Sequence, residues 1–160
     1  MIKNIKYVLF MGLCVLCISS CVKKKTYSQN PEIEFKDFTP LLGDSAANLT
    51  VSFTDGDGDI GKAQEDKTNN FFLTYYYFNA DSNKFIAVWD YNNNKYVETP
   101  YSIRKPSDDY SNKSISGEFV IRINQYRPSK THKRIKYNMY LLDNAGNKSN
   151  ILSTPELIVP

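Results

Sequence analysis

The segment IKYNMYLLDNAGN, residues 135–147, decides how the rest of this 160-residue chain is interpreted. Apolar side chains recur at every second position from Ile135 to Leu141, which is the period of a strand with one buried face. The pattern ends in DNAGN, residues 143–147, whose small and polar residues are typical of a tight turn. The segment therefore predicts a half-buried β-strand followed by a turn.

The same period-two alternation recurs along the chain, and no segment has the pattern of a convincing amphipathic helix. The clearest other examples are NLTVSFT at 48–54 and SISGEFVIRI at 114–123, where apolar and polar residues face opposite sides. Further strands are predicted near residues 32–38, 71–78, 84–91, 95–103 and 151–159. Seven or eight strands joined by turn-rich loops predict an all-β fold, an antiparallel β-sandwich.

Residues 137–147 resemble strand F and the F–G turn of fibronectin type III and related bacterial immunoglobulin-like domains. In those domains a tyrosine leads two alternating apolar residues into a turn of small residues and glycine. The resemblance implies that residues 114–123 are strand E, residues 71–78 strand C and residues 48–54 strand B. Because the B–C and F–G loops share one end of such a sandwich, we expect Asp143 to lie near the B–C connection.

That B–C connection begins with FTDGDGDIGKAQED, residues 53–66, which places Asp55, Asp57 and Asp59 at every second position. Carboxylates that point toward one place repel each other unless a cation lies between them. Calcium takes 6 to 8 oxygen ligands at flexible geometry, whereas magnesium fits less well because it needs a tight octahedron. The alternative is a solvated turn, in which aspartate and glycine only supply local hydrogen bonds and positive φ angles.

The aspartate stretch also resembles the calcium loops of EF-hand and dockerin proteins, with Asp55 at the first loop position. Ile60 and Lys62 depart from that pattern, and the flanking segments have strand periodicity, so the resemblance implies calcium ligands without a helix-loop-helix fold. The candidate ligands of a structural Ca²⁺ are listed here, with Glu65 as the alternative to the fourth: Asp55, Asp57, Asp59, Asp66 and Asp143.

Residues 1–20 have the pattern of a secretory signal, with Lys3 and Lys6 before an apolar run at 7–18. Twelve residues are too few for a membrane-spanning helix, which needs about 20. The run closes with Ile18, Ser19, Ser20 and Cys21, and this motif resembles the lipobox of bacterial lipoproteins. The resemblance implies cleavage before Cys21 and a covalent lipid on its sulfur. An ordinary secretory cleavage site beside an incidental cysteine is the alternative.

Loss of the signal would leave Cys21 as the single cysteine of the mature chain, which agrees with a lipid attachment site. Residues 21–30 are then a polar tether, and residues 31–160 have the length of one domain. These features predict a lipid-anchored protein of the bacterial cell envelope. Since Val22 does not resemble an inner-membrane retention signal, they favour the outer membrane and leave the leaflet open.

The remaining features concern partners. Without Lys3 and Lys6, 18 basic side chains face 17 acidic ones, a balance that predicts no nucleic-acid partner. The only histidine, His132, lies in a basic segment at 127–136, and no nucleophile or phosphate-loop motif is found, so no enzyme is predicted. A hydrolase that uses a pair of carboxylates stays open as a third possibility.

We therefore expect a binding or structural module whose partner is an envelope protein or a glycan. The alternative function is glycan binding at the surface, through aromatic residues of the central strands that would stack on sugar rings. The candidate stacking residues are Tyr76, Trp89 and Tyr91.

Overall fold

The computed structural model describes residues 26–42, 45–105 and 112–160 of the chain. This part contains strands and no helix. The strands are β1 (Glu32–Pro40), β2 (Ala47–Asp55), β3 (Phe71–Asn79), β4 (Lys84–Ala87), β5 (Trp89–Asp90), β6 (Lys95–Tyr96), β7 (Glu98–Tyr101), β8 (Ile115–Ile123), β9 (Arg134–Leu141), β10 (Leu152–Ser153) and β11 (Leu157–Ile158).

Two antiparallel sheets form the layers of a β-sandwich. One sheet has the order β1-β2-β8, and the other has the order β10-β9-β3-β4, with β7 also paired to β3 and β11 to β9. In immunoglobulin-like lettering these orders are A-B-E and G-F-C-C′. The fold is therefore the predicted all-β antiparallel sandwich, and β2, β3, β8 and β9 take the places expected for strands B, C, E and F.

The strand count is higher than the seven or eight that were predicted, because three expected strands are each broken in two. The segment 84–91 leaves the sheet after Ala87 and pairs as β5 with β6 in a separate hairpin. The segment 95–103 divides at Val97, whose amide donates a hydrogen bond to the carbonyl of Val88 across the base of that hairpin. The segment 151–159 divides at Pro155, which has no amide hydrogen for a sheet ladder.

The core lies between the two sheets and follows the predicted alternation. Every second residue of β2 from Ala47 to Asp55 is buried, and β9 buries Ile135, Tyr137, Met139 and Leu141 in the same way. Phe71 and Leu73 of β3 pair with Leu141 and Met139 and complete the opposite wall. The core is continuous from one end of β9 to the other.

The described residues 26–42, 45–105 and 112–160 contain no helix that is long and apolar enough to span a membrane.

The loop between β8 and β9 is fixed by a buried tyrosine of β9. The hydroxyl of Tyr137, which is 3% exposed, donates a hydrogen bond to the backbone carbonyl of Tyr126. Tyr126 is itself buried against Phe38, with ring centroids 5.8 Å apart. This bond closes the sandwich at the end where β8 finishes.

Substitution Tyr137→Phe removes that hydroxyl and leaves the buried carbonyl of Tyr126 without its donor. We expect the free energy of unfolding, measured by urea denaturation, to fall by about 1 to 3 kcal/mol. The variant Tyr91→Phe is the matched control, because it removes the same hydroxyl from a side chain that is 89% exposed. Equal stabilities of the two variants would contradict a structural role for the Tyr137 bond.

Candidate metal site

Two loops meet at the end of the sandwich where β2 and β9 finish. The side-chain amide of Asn144 donates a hydrogen bond to the carbonyl of Gly61 at 2.9 Å, and the backbone amide of Ala145 donates to Oδ2 of Asp59 at 2.8 Å. The backbone amide of Asn144 also donates to the carbonyl of Asp59 at 3.3 Å. The expected meeting of the B–C and F–G loops is therefore confirmed.

Three aspartates converge at this junction. Asp55, Asp59 and Asp143 each place one carboxylate oxygen within 4.8 Å of the other two. Calcium binds oxygen at about 2.3 to 2.6 Å, so two ligands of one ion lie up to about 5 Å apart. The spacing of the three carboxylates fits this limit, and the cluster can hold a metal ion.

Buried oxygens without donors are the second feature of this cluster. The side chain of Asp55 is fully buried, and Oδ1 of Asp55, Asp57 and Asp59 has no hydrogen-bond partner within the part of the chain that the structure describes. The second oxygen of Asp55 does have a donor, the backbone amide of Asp59 at 3.0 Å. Burial of a carboxylate oxygen without a hydrogen-bond partner costs free energy, and a bound cation would supply the missing interaction.

Asp143 is oriented by its own turn. Its Oδ1 accepts a hydrogen bond from the backbone amide of Asn147 at 2.7 Å, and its Oδ2 accepts one from the side-chain amide of Asn147 at 2.8 Å. Gly146 has a φ of 90°, a value that side chains disfavour, which lets the chain reverse between them. The roles of Asn144 and Asn147 were not predicted, and the only sequence signal for them is their place in a turn after a strand.

The aspartate loop is held in place by the core and by a neighbouring segment. Ile60, which occupies the position where an EF-hand loop has glycine, is 1% exposed and belongs to the core cluster. Gly61, with a φ of 87°, lies so close to the backbone of Lys105 that an added Cβ would approach its nitrogen to 2.5 Å. The amide of Lys62 donates to the carbonyl of Ile103 at 2.8 Å. Ile60, which replaces the glycine of the EF-hand pattern, therefore anchors the loop in the core.

The electrostatics of the cluster disfavour its negative charge. Burial, followed by the charges of Asp57 and Asp59, raises the pKa of Asp55 from 3.8 to about 6. Burial also raises the pKa of Asp59, and the charges of Asp143 and Asp57 act in the same direction. A bound cation would oppose these effects, since it favours the ionised carboxylates.

Asp57 and Asp66 lie outside the group of three. Asp57 is nevertheless close enough for its charge to act on both Asp55 and Asp59. Asp66 has a local partner instead: its Oδ1 accepts hydrogen bonds from the amide and the hydroxyl of Thr68, at 2.8 Å and 2.7 Å. Glu65, the alternative to Asp66, is exposed and is also absent from the group.

The three candidate stacking residues occupy two different parts of the fold. Trp89 packs edge to face on Tyr96 within the β5–β6 hairpin, with ring centroids 4.8 Å apart, and Tyr91 lies in the exposed turn of that hairpin. Tyr76 faces outward on β3, where its hydroxyl accepts a hydrogen bond from Asn138 at 3.3 Å. Among the described residues no ring contact joins Tyr76 to the hairpin. Cys21 lies outside the described residues.

Comparisons with models of protein families, with curated proteins and with solved structures give no match for this chain.

The raised pKa of Asp55 predicts how the protein responds to pH when a chelator removes divalent cations. Because the folded-state pKa of about 6 lies above the ordinary value of 3.8, ionisation of Asp55 destabilises the folded state. Protonated Asp55 does not carry this penalty. Its contribution to the free energy of unfolding is therefore fully present below about pH 4 and is lost as the pH rises to about 6. Asp55→Asn removes this titration.

We expect Asp55→Asn to become more stable relative to the wild type as the pH rises from about 4 to about 6, because only the wild type ionises at this position. Urea denaturation in chelator at several pH values measures it. Parallel pH profiles for the two proteins would show that Asp55 does not titrate in this way.

Proposed function

We propose that this protein is a lipid-anchored protein of the bacterial cell envelope whose β-sandwich is stabilised by a calcium ion and serves as a binding or structural module. The observation that carries the calcium proposal is the convergence of Asp55, Asp59 and Asp143 around buried oxygens that lack donors. The lipid anchor rests on the motif at 18–21, and the module role on the absence of catalytic motifs in the sequence.

Calcium suits this cluster better than other common cations. The candidate ligands are carboxylate oxygens, which are hard donors, and the cluster contains neither the histidine nor the cysteine that zinc and copper prefer. Magnesium needs near-ideal octahedral coordination and retains several waters, whereas calcium takes 6 to 8 oxygen ligands at flexible geometry. Carboxylates contributed by two separate loops suit the more tolerant ion, which completes its shell with water.

A cation here would join two parts of the chain, and a third part packs against one of them. Asp55 and Asp59 belong to the loop after β2, and Asp143 belongs to the turn after β9. The third part is the tether, because a Cβ added to Gly56 would lie 2.6 Å from the carbonyl oxygens of Tyr27 and Ser28. The backbone of the tether therefore lies directly against the aspartate loop.

This position supports a mechanical role for the ion. In the proposed lipoprotein, the tether connects the lipid on Cys21 to the folded domain, and a calcium ion would stiffen the loop on which the tether rests. The amide of Tyr27 also donates a hydrogen bond to the hydroxyl of Ser114 at 2.9 Å, next to β8. The ion would thus stiffen the part of the domain on which residues 27 and 28 of the tether rest.

The calcium proposal is tested by thermal unfolding of residues 22–160, first in chelator and then in about 5 mM calcium. For a dissociation constant of about 10⁻⁴ M, typical of extracellular modules, calcium should stabilise the folded state by about 2.3 kcal/mol and raise the Tm by about 8 °C. We expect Asp55→Asn and Asp143→Asn to abolish the shift, because each removes a converging carboxylate.

The matched control is Asp66→Asn, which removes the same charge from the same loop but outside the group of three, and which should keep the shift. Magnesium at the same concentration should not reproduce it. A wild-type Tm that is the same in chelator and in calcium would overturn the calcium proposal.

The lipid proposal is tested with the full chain expressed in a bacterium. We expect the wild type to incorporate labelled palmitate and to sediment with membranes, because two or three acyl chains bind a bilayer far more firmly than one. Cys21→Ser should lose both properties, while Cys17→Ser, which changes a cysteine of the expected signal, should keep both. Labelling that survives in Cys21→Ser would refute the anchor assignment.

A further inference from the structure

A cavity of about 480 Å³ opens between the two sheets, near the end where β8 finishes and away from the aspartates. This volume lies in the range of small-molecule sites, about 300 to 1,000 Å³. Both sheets and the β8–β9 loop contribute to its wall, most of which is aromatic or aliphatic. The residues of this apolar part of the wall are Leu73, Tyr75, Tyr101, Ile123, Pro128 and Tyr137.

The cavity exists because the β5–β6 hairpin leaves the sheet. β7 pairs with β3 only up to Thr74, and β4 pairs with β3 only from Tyr76 onward. Between them the chain extends outward as the hairpin, and its base residues Val88 and Val97 line the cavity. These two valines are 41% and 42% exposed, so they form the rim of an opening.

The wall of the cavity carries no charge. None of its eleven lining residues is acidic or basic. Three of them are tyrosines, and burial raises the pKa of Tyr75 to about 12 and raises the pKa values of Tyr101 and Tyr137 as well. The three phenols therefore stay protonated at physiological pH. A charged ligand would lose its hydration here without gaining a counter-charge, so the cavity favours an uncharged molecule.

Three polar side chains at the mouth of the cavity are available to a ligand. Thr99 belongs to β7, and Asn124 and Gln125 directly follow β8. All three residues are exposed, and their side chains make no hydrogen bond within the part of the chain that the structure describes. Hydroxyl and amide groups both donate and accept hydrogen bonds, and the hydroxyls of a ligand do the same. The mouth therefore suits a ligand that carries several hydroxyls.

The interior of the cavity offers mainly apolar surface, because two of its tyrosine hydroxyls are already engaged. The Tyr137 hydroxyl donates to the Tyr126 carbonyl, and the Tyr75 hydroxyl lies 2.9 Å from Nδ1 of His132. The cavity thus combines an aromatic and aliphatic interior with hydrogen-bonding groups at its mouth. A ligand that matches both parts has an apolar face and hydroxyls along its edge.

We propose that this cavity binds an uncharged sugar ring, whose apolar C–H face packs against the tyrosine wall and whose hydroxyls pair with Thr99, Asn124 and Gln125. Tyrosine suits such a ligand because its ring offers a large apolar surface. A hydrocarbon would fill the interior but would make no hydrogen bond at the mouth. The proposal gives the binding-module role a ligand, and it depends neither on calcium nor on the lipid anchor.

The cavity is a different place from the aromatic residues that the sequence predicted to stack on sugars. Tyr76, Trp89 and Tyr91 are not among the residues that line it. Tyr91 lies in the exposed turn of the hairpin, whereas the hairpin contributes only its base residues to the cavity. Tyr91→Ala should therefore leave sugar binding unchanged.

The test uses isothermal titration of residues 22–160 with the methyl glycosides of glucose, galactose and mannose, up to about 20 mM, which detects dissociation constants in the millimolar range. Each is compared with the methyl glycoside of its uronic acid, which carries a carboxylate on the same ring. We expect at least one neutral glycoside to bind saturably and at least about tenfold more tightly than its uronide, because the wall offers no counter-charge. The third kind of probe is p-cresol, a neutral ring with a single hydroxyl.

Variants at the mouth separate the sugar from a merely apolar ligand. Asn124→Ala and Gln125→Ala should each weaken the glycoside by about threefold to tenfold and leave p-cresol unchanged, since each removes one polar partner. The matched control is Asn92→Ala, which removes an exposed amide from the hairpin turn and should change neither. Val97→Phe narrows the opening and should weaken both. Unchanged thermal unfolding of each variant shows that its fold is intact.

Binding that is lost in Tyr91→Ala and kept in Gln125→Ala would overturn the assignment to the cavity. A uronide that binds as tightly as its neutral glycoside would overturn the uncharged ligand, and binding of p-cresol alone would overturn the sugar. Absence of binding by every probe would overturn the site. All titrations are made both in chelator and in calcium, so that failure of the calcium proposal and failure of this one are separate results.

Discussion

The inward register of β2 is the constraint on which the rest of this structure depends. Side chains of a strand alternate between faces, so the core contacts of Leu49, Val51 and Phe53 also direct Asp55 inward. A shift of one residue would free the carboxylate but would expose all three apolar side chains. The hydrophobic core thus holds Asp55 in a buried position that an isolated carboxylate would avoid, and the surrounding loops must compensate.

Part of that compensation comes from the firm attachment of the loop between β2 and β3. Ile60 inserts into the core, and Asn70, 1% exposed, joins the end of the loop to its neighbours. The side-chain oxygen of Asn70 accepts a hydrogen bond from the amide of Ile103 at 2.7 Å, and its backbone carbonyl accepts one from Leu142 at 2.7 Å. The fold therefore positions the aspartates before any ion binds. This lowers the entropic cost of ordering them around an ion.

The sequence predicted the sandwich and the meeting of its loops because both follow from alternation and topology. Period two in β2 and β9 assigns the buried faces, and the strand order then brings Asp143 to Asp55. The breaks at Val88 and Val97 were not predictable in this way, because they depend on which strand the chain pairs with. Asp66 illustrates the same limit: its bonds to Thr68 depend on the path of the loop, which spacing along the sequence does not determine.

Different interactions hold the two ends of β9. Asp143 follows the end of the strand and Tyr137 lies within it, six residues earlier, a distance of about 20 Å in an extended strand. The hydrogen bond from Tyr137 to the carbonyl of Tyr126 holds one end, and the loop contacts of Asp59 with Asn144 and Ala145 hold the other. The core between them, which includes Met139 and Leu141, is buried along that length. A calcium ion at the aspartates would therefore act first on the end of the sandwich where the loop after β2 meets the turn after β9.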